Sequence, residues 1–206
     1  MRLFSPKRTV VSAVALVATL ATPALAQTKL TDVQRQTMEK AIAGDAQAES
    51  NVGMMFYTGD GVPKSDTQAA NWFQMSADGG NSDGEYNLGM MFLNGRGVVQ
   101  NDASATKWLT ASALKGESNA QLMLGLINSA GIDGGDPDDA TSIAWTRISA
   151  QNGNETAQTF LELIGSQASP DDLEMADEKA RMLQDQMKQV LAMPPAFDRD
   201  APPLPK

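Results

Sequence analysis

Val52-Gly53-Met54-Met55-Phe56 returns as Leu88-Gly89-Met90-Met91-Phe92 and again as Leu124-Gly125-Leu126-Ile127, so that a glycine recurs at 53, 89 and 125, a period of 36. A fixed period of this length marks a solenoid of supersecondary units and decides the fold before any other property is read. The same shift carries Gly59-Asp60-Gly61-Val62 onto Gly95-Arg96-Gly97-Val98. Asp66 with Trp72, Asp102 with Trp108 and Asp139 with Trp145 keep one spacing, the last pair displaced by a residue inserted between Gly131 and Asp139. Gly44, Gly80, Gly116 and Gly153 then punctuate the chain at the same rhythm.

Each repeated position has a mechanical reason. Ala48, Gly84, Ala120 and Ala157 precede the repeated pentad by about one helical turn. These small side chains therefore share a helical face with Gly53, Gly89 and Gly125 and let neighbouring helices approach closely. Glycine inside a helix costs about 1 kcal/mol against alanine, and three at one phase imply that packing demands them. The Gly-x-Gly-Val segment turns the chain, and Asp66, Asp102 and Asp139 stand where an N-cap or first-turn acid opens a second helix. That helix carries a buried Trp and stops at the following glycine. Each unit is predicted to be helix, tight loop, helix.

The run of small residue, Leu-Gly-x-Met-Phe, Gly-x-Gly-Val, acid, Trp and terminal glycine resembles the Sel-like repeats, relatives of the tetratricopeptide repeats. The resemblance implies an all-α, right-handed α-solenoid of helix-turn-helix units, with units near 45–80, 81–116 and 117–153 and an atypical end unit at 154–192, where Glu162 replaces the helix glycine. The third unit departs in its loop, Ala130 to Asp136. Before the repeats, Thr31 and Gln34 form a capping-box pattern opening a helix to about Ala43, and Ser169-Pro170-Asp171-Asp172 opens a last helix. The solenoid is expected over 27–192, followed by a disordered proline-rich tail at 193–206.

Residues 1–26 read differently. Arg2, Lys7 and Arg8 precede an uncharged run from Thr9 to Leu20 and the ending Thr22-Pro23-Ala24-Leu25-Ala26, the pattern of a secretory signal cleaved after Ala26. The expected location is the periplasm or the exterior, with no stable membrane insertion afterwards. The formal net charge is −9, and loss of that segment removes three bases and no acid. Such a surface repels nucleic acid and anionic lipid. The chain has no Cys, so the exported fold is expected to stand on its core without disulfides.

It also has no His, which removes the commonest general base and metal ligand near neutral pH. No nucleophile-base pair, paired-carboxylate cleft or metal cage is legible, so no catalytic residue, no cofactor and no metal is expected. Two metal chemistries are the alternatives to this. Asp133, Asp136, Asp138 and Asp139 offer hard oxygen ligands but lack the terminal bidentate Glu of a helix-loop-helix calcium site. Met54 and Met90 offer thioethers at the repeat period, a copper-binding alternative to core or groove packing. Gly59-Asp60-Gly61 and Gly95-Arg96-Gly97 lack the spacing of a phosphate cradle and follow helices, so they read as turns.

Function is therefore expected on the concave groove lined by the first helix of each unit. By the register of tetratricopeptide-like units, Asn51, Met54, Tyr57, Tyr86, Asn87 and Met90 are the peptide-binding candidates, with the two Asn residues placed to bond the backbone of an extended ligand. Clamping bases for a carboxylate terminus are not evident nearby. The expectation is a protein interaction adaptor or regulator of the cell envelope. The alternative is a small-molecule or cell-wall ligand binder, or a weak hydrolase, using Glu49, Asp83 and Glu85 as groove carboxylates.

Overall fold

The computed structural model describes residues 30–132 and 134–193. The signal reading at 1–26, the tail from 194 onward and Asp133 lie outside the described residues. Among those residues there are nine helices and no strand: α1 Asp32–Ile42, α2 Ala46–Thr58, α3 Asp66–Asp78, α4 Ser82–Asn94, α5 Asp102–Leu114, α6 Ser118–Ala130, α7 Asp139–Gln151, α8 Glu155–Gln167 and α9 Pro170–Ala192. Consecutive helices from α1 to α8 pack pairwise into a right-handed α-solenoid, with α2, α4, α6 and α8 the first helices of successive units and α3, α5 and α7 the second. None of the nine is long and apolar enough to cross a membrane.

Local chemistry fixes the helix boundaries. Thr31 and Gln34 form the expected capping box on α1. The second helices are capped by Ser65, Asn101 and Asp138, so Asp66, Asp102 and Asp139 sit in the first turn, where their charge favours the positive end of the helix. Gly44, Gly80, Gly116 and Gly153 take left-handed backbone, the conformation that ends a helix at little cost only for glycine.

The layers are held close by small residues. A Cβ on Gly53 would lie 2.6 Å from the Phe73 ring, and one on Gly89 2.8 Å from Leu109 Cγ. Val52, Met55, Phe56, Trp72, Phe73, Leu88 and Met91 fill the first core, and Leu109, Leu124, Ile127, Trp145 and Ile148 the second. Trp108 departs from the expected pattern. It is half-buried, with the Lys107 ammonium 5.5 Å from its ring centre, whereas Trp72 and Trp145 are buried.

A second set of ties repeats with the same period. The buried hydroxyls of Ser76, Ser112 and Ser149 donate to the carbonyls of Ala46, Ser82 and Ser118 at 2.6, 2.8 and 2.7 Å, pinning each second helix to the start of its own first helix.

The C-terminal end departs from the stack. α9 packs along α7 and touches α5, and its principal contact is not with the preceding helix α8. Ala176 meets Ala140 and Ile143, while Ala180, Leu183 and Met187 join the core of Leu109, Ala144 and Trp145. Arg147 pairs with Asp177, Lys179 Nζ donates to Asp138 at 2.7 Å and Gln184 to Gln151 at 3.0 Å. From Ala176 beside Ala140 and Ile143 to Gln184 on Gln151 the contacts advance along both helices, so α9 runs parallel to α7.

Candidate functional site

The first helices carry side chains of one face at intervals of three and four residues. Tyr57 near the end of α2, and Tyr86, Asn87 and Met90 on α4, converge on a cavity of about 140 Å³ completed by Phe73, Met91, Asn94 and Arg96. A cavity of this size is comparable to one that accepts a single six-membered ring. Four candidates from the sequence thus meet in one place. Asn51 and Met54 do not line it. Both are exposed, Met54 by 40%, on the α2 face N-terminal to Tyr57.

Arg96 is the residue that sequence reading missed, and the expectation that no base lies near the groove is corrected here. It stands in the loop after α4, where Gly95 and Gly97 have φ of 61° and 69°. Its Nε and Nη2 donate to the two carboxylate oxygens of Asp66 at 3.2 and 2.8 Å. Its Nη1 donates to the Tyr57 hydroxyl at 2.5 Å, with the guanidinium carbon 4.2 Å from the ring centre. The hydrogen bonds it donates to Asp66 hold the guanidinium charged, and its positive charge is matched inside the protein. Arg96 therefore bridges two units and forms a wall of the cavity as a neutralised pair.

The other walls are amide, phenol and thioether. Asn94 Nδ2 donates to the Met90 carbonyl at 2.8 Å, which fixes the amide at the cavity wall. Burial, reinforced by Glu117 and Tyr57, pushes the Tyr86 hydroxyl up, so it remains a protonated donor throughout the neutral range. On the same side of the helix layer, Asn81 Nδ2 donates to Gln47 at 2.9 Å, Gln47 donates to Asp83 at 3.0 Å, and Asn154 donates to Asn119 at 3.1 Å. These amide ties cross between units and fix the spacing of the first helices.

The groove-carboxylate expectation fails on geometry for two of its three members. Glu49 is 1% exposed and Glu85 is 4% exposed, whereas Asp83 is exposed. Glu85 Oε1 accepts from Lys115 Nζ at 2.6 Å, and the same ammonium donates to the Gly80 carbonyl at 2.8 Å. Burial pushes the Glu85 carboxyl up despite the hydrogen bond from Lys115. One unit later Gln121 and Asn152 occupy the equivalent positions and bond at 2.9 Å. Both pairs tie successive helices together, and their carboxylate and carbonyl members, Glu85 and Gln121, are buried away from any ligand.

Asp138, one of the candidate calcium ligands, is occupied otherwise. It caps α7 through the Thr141 amide at 2.9 Å and accepts from Lys179. Burial pushes its carboxyl up, but the bonds from Lys179 and Thr141 outweigh that and bring it down to about 2. No group of three or more acidic side chains among the described residues has the arrangement of a metal site.

The family model for the Sel1 repeat matches residues 46–81, 82–117 and 118–154. A Sel1 repeat protein from Oxalobacter formigenes, known from its crystal structure, is 30% identical with a TM-score of 0.58, over 64% of this chain and 98% of that one. A protective antigen of uropathogenic Escherichia coli displaying an SLR fold is 24% identical with a TM-score of 0.64, over 88% of this chain and 37% of that one, and supports the fold alone. No curated protein matches the chain.

Proposed function

The chain belongs to the Sel1 repeat family, whose members mediate protein–protein interaction, and we propose that it is an adaptor or regulator of the bacterial cell envelope that binds an extended peptide of a partner protein along its concave groove. The observation that carries the reading is the cavity where Tyr57, Tyr86, Asn87 and Met90 converge across two units. Binding sites of this kind pair an apolar lining with a few placed polar groups, and the phenol and amide groups here supply both donors and acceptors. Asn51 and Met54 extend the same face along α2 and lengthen the surface available to a strand-like ligand.

The recognition chemistry is that of a neutral segment. Arg96 is already paired with Asp66, which leaves little to attract a free carboxylate. The acidic whole-chain charge favours neutral or basic partners and speeds their approach. The export pattern at 1–26 supports the envelope location.

The test is affinity capture from an envelope extract with wild type and an Asn51→Ala, Tyr86→Ala, Asn87→Ala variant whose circular dichroism matches wild type. A partner held by wild type and lost by the variant is the expected result. Equal capture by both removes the groove from the function.

A further inference from the structure

We propose that the partner segment lodges one uncharged side chain in the Tyr57/Tyr86 cavity and carries a lysine or arginine two to four residues away, seated on the acidic side of Tyr86 formed by Asp83 and Glu117. This rests on the groove reading above and names the residue type that flanks the cavity. The cavity itself takes a neutral group, because its one guanidinium, that of Arg96, is spent on Asp66.

The charge along the first helices has one sign. α2, α4, α6 and α8 contain no Lys or Arg, and the bases of the described residues stand in α1, the loops, α5, α7 and α9. Lys115, which reaches α4 from the end of α5, is bound to the buried Glu85 at 2.6 Å. Asp83 and Glu117 have no ion-pair partner among the described residues. Their carboxylates accept only from neutral amides, Asp83 from Gln47 at 3.0 Å and Glu117 from Asn119 at 2.9 Å and the backbone of Ala120. An amide orients a carboxylate without cancelling its charge, so the field beside the cavity is negative.

Both carboxylates lie close to the cavity. Asp83 is exposed on the α4 face of Tyr86, Asn87 and Met90, at spacings of three, four and seven residues. It therefore stands about 10 Å along the helix from Met90. Glu117 caps α6 and is near enough to the Tyr86 hydroxyl to help push it up. An extended ligand advances about 3.3 Å per residue, so a residue two to four positions from the one in the cavity is about 7 to 13 Å away. A lysine or arginine there lays its apolar stem along the Tyr86 ring and sets its charge beside the carboxylates. An acidic residue at the same place meets like charge, so this rim selects by repulsion as well as by attraction.

The experiment selects random dodecapeptides displayed on phage against the immobilised protein, then measures the enriched peptides by fluorescence anisotropy. The enriched sequences are expected to share a bulky uncharged residue with a lysine or arginine two to four positions away. Asp83→Asn, which keeps an oxygen for Gln47, is expected to weaken their binding about five-fold, and Asp83→Asn with Glu117→Gln about ten-fold. Changing the peptide's base to glutamine should give the same loss on wild type, and that loss should shrink in about 0.5 M sodium chloride. Peptides that are lost with Tyr86→Ala but bind the Asp83→Asn, Glu117→Gln variant as tightly as wild type overturn the proposal and leave the groove reading standing. Enriched peptides without a base overturn it as well. Peptides indifferent to Tyr86→Ala, or a selection that enriches none, overturn both.

Discussion

The stacked units from α2 to α7 and the closing helices α8 and α9 solve the same packing problem with different materials. Within the units, glycine, alanine and serine set the distances between helices, and there is no space for another atom at Gly53, Gly84, Gly89 or Gly125. At the end, nothing lies within 4 Å of a Cβ built on Gly165, Leu163 is 55% exposed, and α9 is fastened to α7 by pairs such as Arg147 with Asp177 and Lys179 with Asp138. A repeat that must match its neighbours on two sides is defined by what it excludes, whereas a terminal element has one neighbour and tolerates long, adjustable side chains. Substitutions of the same type are therefore expected to have opposite consequences in the two regions.

The largest contrast is between glycines. A Cβ on Gly97 would stand 2.2 Å from the Asp66 carbonyl oxygen, which belongs to backbone and cannot turn aside, and Gly97 has a left-handed φ. Gly97→Ala combines overpacking with an unfavourable backbone region and is expected to cost about 3 kcal/mol, read by urea unfolding. It should also disturb the Tyr57 ring, read as a shift of its ¹⁹F resonance in 3-fluorotyrosine-labelled protein, because the displaced loop carries Arg96. Gly165→Ala at the open end is expected to stabilise by about 0.5 to 1 kcal/mol, the helix propensity gain alone. A destabilised Gly165→Ala would show that the end is as tightly matched as the stack and would break the comparison.

The buried polar ties give a smaller effect. Glu85→Ala removes the carboxylate beneath Lys115 and is expected to cost about 2 kcal/mol, less than a fully buried pair would, because Lys115 is partly exposed and regains water. Changing both to the residues of the next unit, Glu85→Gln with Lys115→Asn, is expected to stay within about 1 kcal/mol of wild type, since Gln121 and Asn152 already bond in that register. A double change as costly as Glu85→Ala would mean that the two units are not interchangeable. Ser112→Ala, which deletes one repeated hydroxyl tie, is expected to cost about 1 kcal/mol by the same unfolding measurement.

The period of 36 made the units legible because every layer reuses the same small residues in phase. That Tyr57, Tyr86, Asn87 and Met90 lie on one side of the first helices was legible for the same reason, since a helical face projects the same offsets in each unit. Arg96 was not, because its partners Asp66 and Tyr57 lie 30 and 39 residues away and come near only when the units stack. The serine ties did carry a signal, at 76, 112 and 149, but a hydroxyl in a helix has no sequence mark that separates a buried tie from a solvated one. Glu49 and Glu85 misled for the converse reason, charge being an ordinary sign of exposure. The placement of α9 was hidden as well. Its capping box says where the helix begins, and nothing local says which neighbour it will choose.

The smallest effect probes the fastening of the closing helix. In Asp138→Asn the cap on Thr141 survives, since asparagine accepts the same amide bond, and only the attraction to Lys179 is lost. Both side chains are substantially exposed, so the loss is expected to be about 0.5 kcal/mol at neutral pH. Its pH dependence is more informative than its size. The Asp138 carboxyl is held down at about 2 in the fold, against an ordinary value of 3.8. The contribution is therefore fully present above about pH 4 and is lost as pH falls through the folded value near 2. Wild type and variant unfolding curves should differ at pH 6 and converge by about pH 2. A gap that persists undiminished in acid would show that α9 is held by its apolar stripe of Ala176, Ala180, Leu183 and Met187 with no help from the Lys179 pair, and that Asn at 138 disturbs the cap itself.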